Sequence, residues 1–315
     1  MVSGSGHPRE PGCRRSVAFK YSVVRKKPIT LRIGAHESIA GSLERSVERA
    51  LASECNALQI FSRSPRMWKA ASLNGDAVER FRNARAEHDI WPVVIHGNYL
   101  MNMASPDPVI RELSTQAFRG EAERALAIGA DYLVIHPGSY KGQTLGRAMR
   151  TLSASIARAV KGVRWDGLRL LLENTAGGGM SIGRGFEELA ELRAQIERKA
   201  SLSVGFCIDT AHCYEAGFDV STAAGLEETL RSIDCAIGLD NVPVLHCNDS
   251  KTALGSRHDR HANIGKGYLG REAFRRFLRH PRLCSKAFIL ETPADPDGLH
   301  RQDVRAMKTL AKART

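Results

Sequence analysis

Residues 168–173 read LRLLLE and residues 203–209 read SVGFCID, two apolar runs that each stop on a carboxylate, Glu173 and Asp209. Four further runs behave alike: VVIH ends at His96, YLVIH at His136, VPVLH at His246 and FILE at Glu291. Two clusters follow such ends closely, with His212 three residues after Asp209 and Asp259 with His261 in the stretch beyond His246. Buried strands normally finish in turn formers such as Gly, Asn or Asp, so a repeated finish in metal-ligand types requires a reason other than folding. One polynuclear metal site accounts for all nine side chains together.

Outward from these runs, apolar and partly β-branched segments recur near 31–35, 56–61, 91–96, 131–136, 168–173, 203–209, 242–247 and 287–291. Between them lie stretches with helical spacing of apolar residues, such as SLERSVERALAS, GDAVERFRNARAEH and FEELAELRAQIERK, and DVRAMKTLAKA closes the series. Eight alternations of this kind predict an α/β fold, a single (β/α)8 or TIM barrel over residues 31–315. Its strands are apolar throughout, as parallel strands covered on both faces should be. A doubly wound open sheet is the structural alternative. In an open sheet the edge strands are too far apart for six consecutive ends to meet, whereas a parallel barrel brings every strand's C-terminus to one rim. The ligand pattern therefore favours closure, with the metal site on the C-terminal rim.

Composition narrows the setting. The chain has 315 residues, of which 43% are hydrophobic, enough for a sizeable core. Seven cysteines form no CxxC pair and read as reduced thiols, which predicts a cytoplasmic protein. No apolar run approaches the roughly 20 residues that span a bilayer, so no membrane partner is expected. Forty-six Lys and Arg against 34 Asp and Glu give a net charge of +12, which suggests a polyanionic partner. Half of that excess sits in residues 1–30, where seven basic side chains meet one acidic. That stretch is expected to be a basic, disordered extension, or else sequence upstream of the true start.

Imidazole and carboxylate ligands without thiolates suit zinc or manganese. Zinc takes three or four protein ligands, so nine are too many for one ion and right for three if one carboxylate bridges. Three divalent ions against Glu173, Asp209, Asp259 and Glu291 leave a cationic, oxygen-seeking pocket. Such a pocket favours a phosphate, and the chemistry expected is hydrolysis at phosphorus. His36 and His258 also lie after apolar runs, but neither is assigned as a ligand.

The chain resembles the endonuclease IV family of abasic-site DNA repair nucleases over roughly residues 31–312. The resemblance runs from GAH at Gly34–His36 through HPGS at His136, ENTAG at Glu173, CIDTAHCYEAGFD at Cys207, HCNDSK at His246 and SRHDRHANIGKG at Ser256 to ILET ending at Thr292. It implies one zinc at His96, His136 and Glu173, a second at Glu173, Asp209, His246 and Glu291, and a third at His212, Asp259 and His261. It further implies cleavage of the phosphodiester 5′ to an abasic site in double-stranded DNA, leaving a 3′ hydroxyl and a 5′ deoxyribose phosphate. It also implies trimming of 3′ blocking groups as a secondary activity, with Glu291 and Glu173 as the catalytic carboxylates. Arg66, Tyr99 and Leu100 would contact DNA, inserting into the duplex where a base is missing. A monomer, nucleoid-associated through DNA, suffices for this activity.

Two other functions compete. A sugar isomerase or epimerase on the same barrel needs one or two metals, so His258–His261 would be superfluous, and metal stoichiometry separates the two. A noncatalytic DNA-binding protein would need no intact ligand set.

Overall fold

Successive residues of a strand face opposite sides, and in this chain the two sides pack into two different cores. The structure, a computed structural model, describes residues 30–69 and 71–312, so the basic extension lies, apart from Thr30, outside the described residues. Seven strands lead the chain: β1 (Arg32–His36), β2 (Ala57–Phe61), β3 (Val93–His96), β4 (Tyr132–Ile135), β5 (Arg169–Glu173), β6 (Val204–Asp209) and β7 (Val244–His246). A two-stranded antiparallel ribbon follows, β8 (Asp249–Ser250) with β9 (His261–Ala262), and then β10 (Ala287–Leu290). The eight long-range strands pair in parallel and close a ring in the order β1-β10-β7-β6-β5-β4-β3-β2. The expected barrel is therefore present, and the open sheet is excluded.

Ala57, Val94, Val134, Leu171, Cys207, Val244 and Ile289 form one buried cluster, with a single contribution from each of seven strands. This is the layer that fills the barrel. On β1 the corresponding position is Gly34, where an added Cβ would meet Ala57 O at 2.4 Å and Ile289 Cδ1 at 2.9 Å. The alternate residues, such as Leu58, Ile95, Leu172 and Phe288, belong to the larger core beneath the helices.

Helices wrap the ring: α1 (Arg45–Ala52), α2 (Gly75–Glu87), α3 (Pro108–Ile128), α4 (Leu145–Val160), α5 (Phe186–Lys199), α6 (Thr210–Ala216), α7 (Ala223–Ile237), α8 (Gly270–Arg279) and α9 (Arg301–Ala311). Local chemistry sets several of their starts. Asn74, Asp107 and Thr144 accept backbone N–H bonds as N-caps of α2, α3 and α4, and Pro108 occupies the first turn of α3, where its missing N–H costs nothing. Gly129 ends α3 at φ 77°, a left-handed conformation that glycine adopts without a Cβ clash.

Three features differ from expectation. Helix α6 has no counterpart among the predicted helices, because all seven of its residues are buried and it has no polar face to create a helical period. The ribbon was equally illegible, since two-residue strands carry no alternation. Strands β4 and β10 also stop one residue earlier than the apolar runs, leaving His136 and Glu291 just past the ladder.

Candidate metal centre

Two residues beyond each member of the interior layer, the same strand face carries a polar side chain at the rim. Val94 leads to His96, Val134 to His136, Leu171 to Glu173, Cys207 to Asp209, Val244 to His246, Ile289 to Glu291 and Ala57 to Gln59. Side-chain direction repeats every two residues, so a packed apolar layer forces the next layer to point inward over the barrel mouth. The parallel register sets Asp209 level with His246, whereas Gln59 pairs with Val94, His96 with Val134 and Glu173 with Cys207, so the rim positions step by two residues between those strands.

Glu173 lies at the centre and is fully buried. Its Oε2 is 3.2 Å from His96 Nε2 and 3.3 Å from His136 Nε2, while Oε1 is 2.9 Å from His246 Nδ1 and 3.4 Å from His212 Nδ1. Glu291 Oε2 approaches His246 Nδ1 at 3.3 Å. Potential ligand atoms fall into three groups, each within 4.8 Å: His96, His136 and Glu173; Glu173, Asp209, His246 and Glu291; Asp209, His212 and His261. Asp259 closes the third group, with Oδ2 3.1 Å from His212 Nε2 and Oδ1 3.3 Å from His261 Nε2. Asp209 Oδ2 is farther from His261 Nε2, at 3.7 Å, so Asp259 is the nearer carboxylate there. All nine expected side chains converge. Asp209 stands between the second and third groups, a position that the sequence did not distinguish.

Among the described residues, these carboxylates find their ion pairs with imidazoles alone. Burial alone would raise Asp259, but the hydrogen bond and charge of His212, then the charges of His261 and His136, bring it down to about 2. Glu173 is likewise pushed up by burial, yet His136, His246 and His212 hold it well below the carboxylate range. Burial lowers His136, whereas at His212 the Asp209 and Asp259 carboxylates outweigh burial and raise the ring well above its ordinary value. Carboxylates as buried as Glu173 and Asp209 require positive charge nearby. The raised imidazoles of His212 and His246 offer such charge, and divalent ions would supply it with neutral rings. Among the described residues His261 Nε2 is buried without a hydrogen-bond partner, as a nitrogen aimed at a metal ion would be. The donor set fits zinc.

A family model described as xylose isomerase-like TIM barrel matches residues 47–310. A probable endonuclease 4 from Solibacter usitatus is 47% identical over 281 residues, covering 89% of this chain and 97% of that one. The crystal structure of endonuclease IV from Thermus thermophilus superposes with a TM-score of 0.78 at 39% identity, covering 89% of this chain and 98% of that one. The chain belongs to the endonuclease IV family. Its barrel also resembles that of a 3-keto-D-glucoside 4-epimerase from E. coli, with a TM-score of 0.63 at 14% identity, a likeness of fold alone.

In this member of the endonuclease IV family, three neutral amides that the sequence reading passed over hold the ligand types in place. Gln59 donates from Nε2 to Glu291 Oε1 at 2.5 Å, and its Oε1 lies 2.8 Å from His246 Nε2. Asn248 donates to Asp209 Oδ2 at 2.6 Å and accepts from Glu291 N at 2.8 Å, and Asn174 Oδ1 accepts from Asp209 N at 2.7 Å. Such outer partners fix the orientation of ligand side chains. Gln59 could have been found from its place as the one polar residue inside the apolar run ALQIF.

A cavity of about 490 Å³ opens above the centre, lined by His96, His136, Asp259, Glu291, Phe61 and Tyr99. Tyr99 is 69% exposed and stands edge-on to Phe61 with ring centroids 5.2 Å apart, so its ring overhangs the cavity. Leu100 beside it is half-buried, and Arg66 is exposed on the loop after β2, outside the cavity lining. His36 also lines the cavity, its Nδ1 3.0 Å from Gln59 Nε2 and 3.8 Å from Glu291 Oε1. His258 is exposed next to Asp259 in sequence and joins none of the three groups.

Proposed function

We propose that this protein is a DNA repair endonuclease that hydrolyses the phosphodiester 5′ to an abasic site in duplex DNA, leaving a 3′ hydroxyl and a 5′ deoxyribose phosphate. Three zinc ions would be held by His96, His136 and Glu173; by Glu173, Asp209, His246 and Glu291; and by His212, Asp259 and His261. The observation that carries this reading is the position of Glu173, whose two oxygens are shared between separate imidazole sets, as a bridging carboxylate requires. Manganese suits the same donors.

Zinc at this centre supplies Lewis acidity toward the phosphate oxygens and lowers the pKa of an attacking water. The chain's own residues supply orientation. Glu291, fixed by Gln59 and Asn248, presents Oε2 toward His246 at the cavity floor, where it can receive a proton from water attacking phosphorus. Asp259 and His261 lie across the cavity and would flank the departing 3′ oxygen. Tyr99 overhangs the opening with Leu100 beside it, and Arg66 stands on the neighbouring loop, so together they suit a duplex in which one missing base lowers the cost of unstacking. One chain carries the whole site, so the activity needs no second copy.

An epimerase reading is disfavoured by the ligand count, because the His212, Asp259 and His261 group would have no role in one-metal or two-metal sugar chemistry. Among the described residues no helix is long and apolar enough to cross a membrane. The test is incubation of metal-replete protein with a duplex containing one abasic-site analogue, with and without a strong chelator. Chelator-sensitive cleavage immediately 5′ to the lesion with a 3′ hydroxyl supports the reading, and intact DNA despite bound metal rejects it.

A further inference from the structure

Outside the barrel mouth, the facing sides of α3 and α4 enclose a groove of about 720 Å³ lined by Arg111, Arg147, Arg150 and Arg158. One carboxylate lies among these four guanidinium groups, Glu112, and it pairs with Arg158 at 2.7 Å. Arg111 turns its guanidinium to the backbone oxygens of Ser105 and Pro106, and among the described residues Arg147 and Arg150 make no ion pair. Cations clustered without counter-charges repel one another, and an anionic ligand relieves that repulsion. The helix ends add to the field, because both helices begin at this rim with their positive N-terminal ends.

The groove and the proposed DNA site are linked through shared loops. Each helix starts directly after a strand's C-terminal end, so the loops 97–107 and 136–144 that lead into α3 and α4 are the loops that carry Tyr99 and His136. They are tied together by Asn102 Nδ2 donating to Ser139 O at 3.2 Å and Gln143 Nε2 donating to Ala104 O at 2.5 Å. Arg147 lies in the first turn of α4 and Arg158 eleven residues on, about 16 Å down the wall at 1.5 Å per residue. A row of cations leading away from the mouth matches the backbone of DNA extending beyond the lesion, whose phosphates carry no sequence information.

We infer that this arginine groove is an auxiliary site for the phosphates of flanking DNA, which holds the duplex on the α3–α4 side of the mouth. The inference rests on the function proposed above, and it adds a length dependence which that function does not require.

The experiment uses the whole metal-replete protein and two duplexes with the same abasic-site analogue, one short and one extended by about one helical turn, ~10 bp, on each side. Wild type should bind the extended duplex more tightly, with a steeper dependence on salt. The double variant Arg147→Ala with Arg150→Ala should lose that advantage and reduce the slope of log affinity against log salt by about 2, at roughly 0.9 per phosphate released. Incision of the short duplex should be unchanged, and Arg147→Lys with Arg150→Lys should restore the slope. The inference is overturned if wild type gains nothing from the extension, or if the alanine variant keeps both the gain and the slope. It is also overturned if the alanine variant loses only binding of inorganic triphosphate and keeps the duplex slope, since the groove would then serve a small anion. A protein that incises neither duplex, yet binds the longer one through Arg147 and Arg150, would reject the proposed reaction while leaving the groove standing.

Discussion

Gln59 Nε2 lies 2.5 Å from Glu291 Oε1, across the seam where β1 separates β2 from β10. The same amide reaches His246 through its oxygen at 2.8 Å, so a neutral residue on an eighth of the ring fixes two members of the central group. Replacing Gln59 with Ala should weaken metal affinity by about 10- to 100-fold, the usual cost of losing an outer partner. Metal competition against a calibrated chelator reads this directly. Unchanged affinity would reduce Gln59 to a packing residue.

Glu173 touches the imidazoles of four different segments, and its two oxygens are divided among them. Glu173→Gln keeps the shape but removes the charge that a bridge needs. The variant is expected to bind at least two fewer metal ions per chain than wild type and to lose incision, measured by elemental analysis beside the cleavage assay. Loss of a single ion would mean that Glu173 serves one metal only.

Behind the loop that carries Arg66, Arg63 Nε meets Glu121 Oε1 at 2.6 Å, and both side chains are buried. Glu121 also accepts from the Ser62 hydroxyl, while Arg63 Nη1 donates to Trp68 O at 2.6 Å, so the pair pins both ends of the loop. Glu121→Ala leaves a buried guanidinium unpaired and should cost about 3–5 kcal/mol, seen in chemical denaturation. Replacing both partners, Arg63→Met with Glu121→Leu, should cost less than the single change. A larger loss in the double variant would show that the loop depends on more than the charge pair.

His300 is buried with Nδ1 3.5 Å from Glu37 Oε1. Burial lowers its pKa, but the adjoining Glu37 carboxylate outweighs this and the net shift is upward from the ordinary value. A folded pKa above the unfolded one stabilises the protein fully below about pH 6.5, and that stabilisation is lost as pH rises through the folded value. His300→Gln should therefore destabilise more at mildly acidic pH than in alkaline solution, as followed by thermal melting across pH. Equal destabilisation at every pH would remove the charged pair from the account.

The barrel was legible because its strands are apolar on both faces and its helices alternate with them at regular intervals. The centre was legible for a more specific reason. Residues such as Val94 and Leu171 fix which strand face points inward, and His96 and Glu173, two positions on, must follow. Helix α6 escaped because its burial erases the helical period, even though it begins at Asp209, whose carboxylate also caps it by accepting from His212 N at 2.9 Å. The amides of Gln59, Asn174 and Asn248 escaped because nothing in an amide's chemistry marks it as a ligand's support until strands far apart in sequence become neighbours. The placement of Asp209 between two groups depends on the turn geometry of α6, which no spacing in the sequence specifies.

The central claim is that one rim site, using several metal ions at once, hydrolyses DNA beside a missing base. It is tested most directly by stripping the protein with chelator, returning zinc stepwise, and measuring bound metal and incision of an abasic duplex on the same samples. The account predicts no incision in the stripped protein and full recovery only as about three ions per chain are bound. Full incision with one ion or none would contradict it.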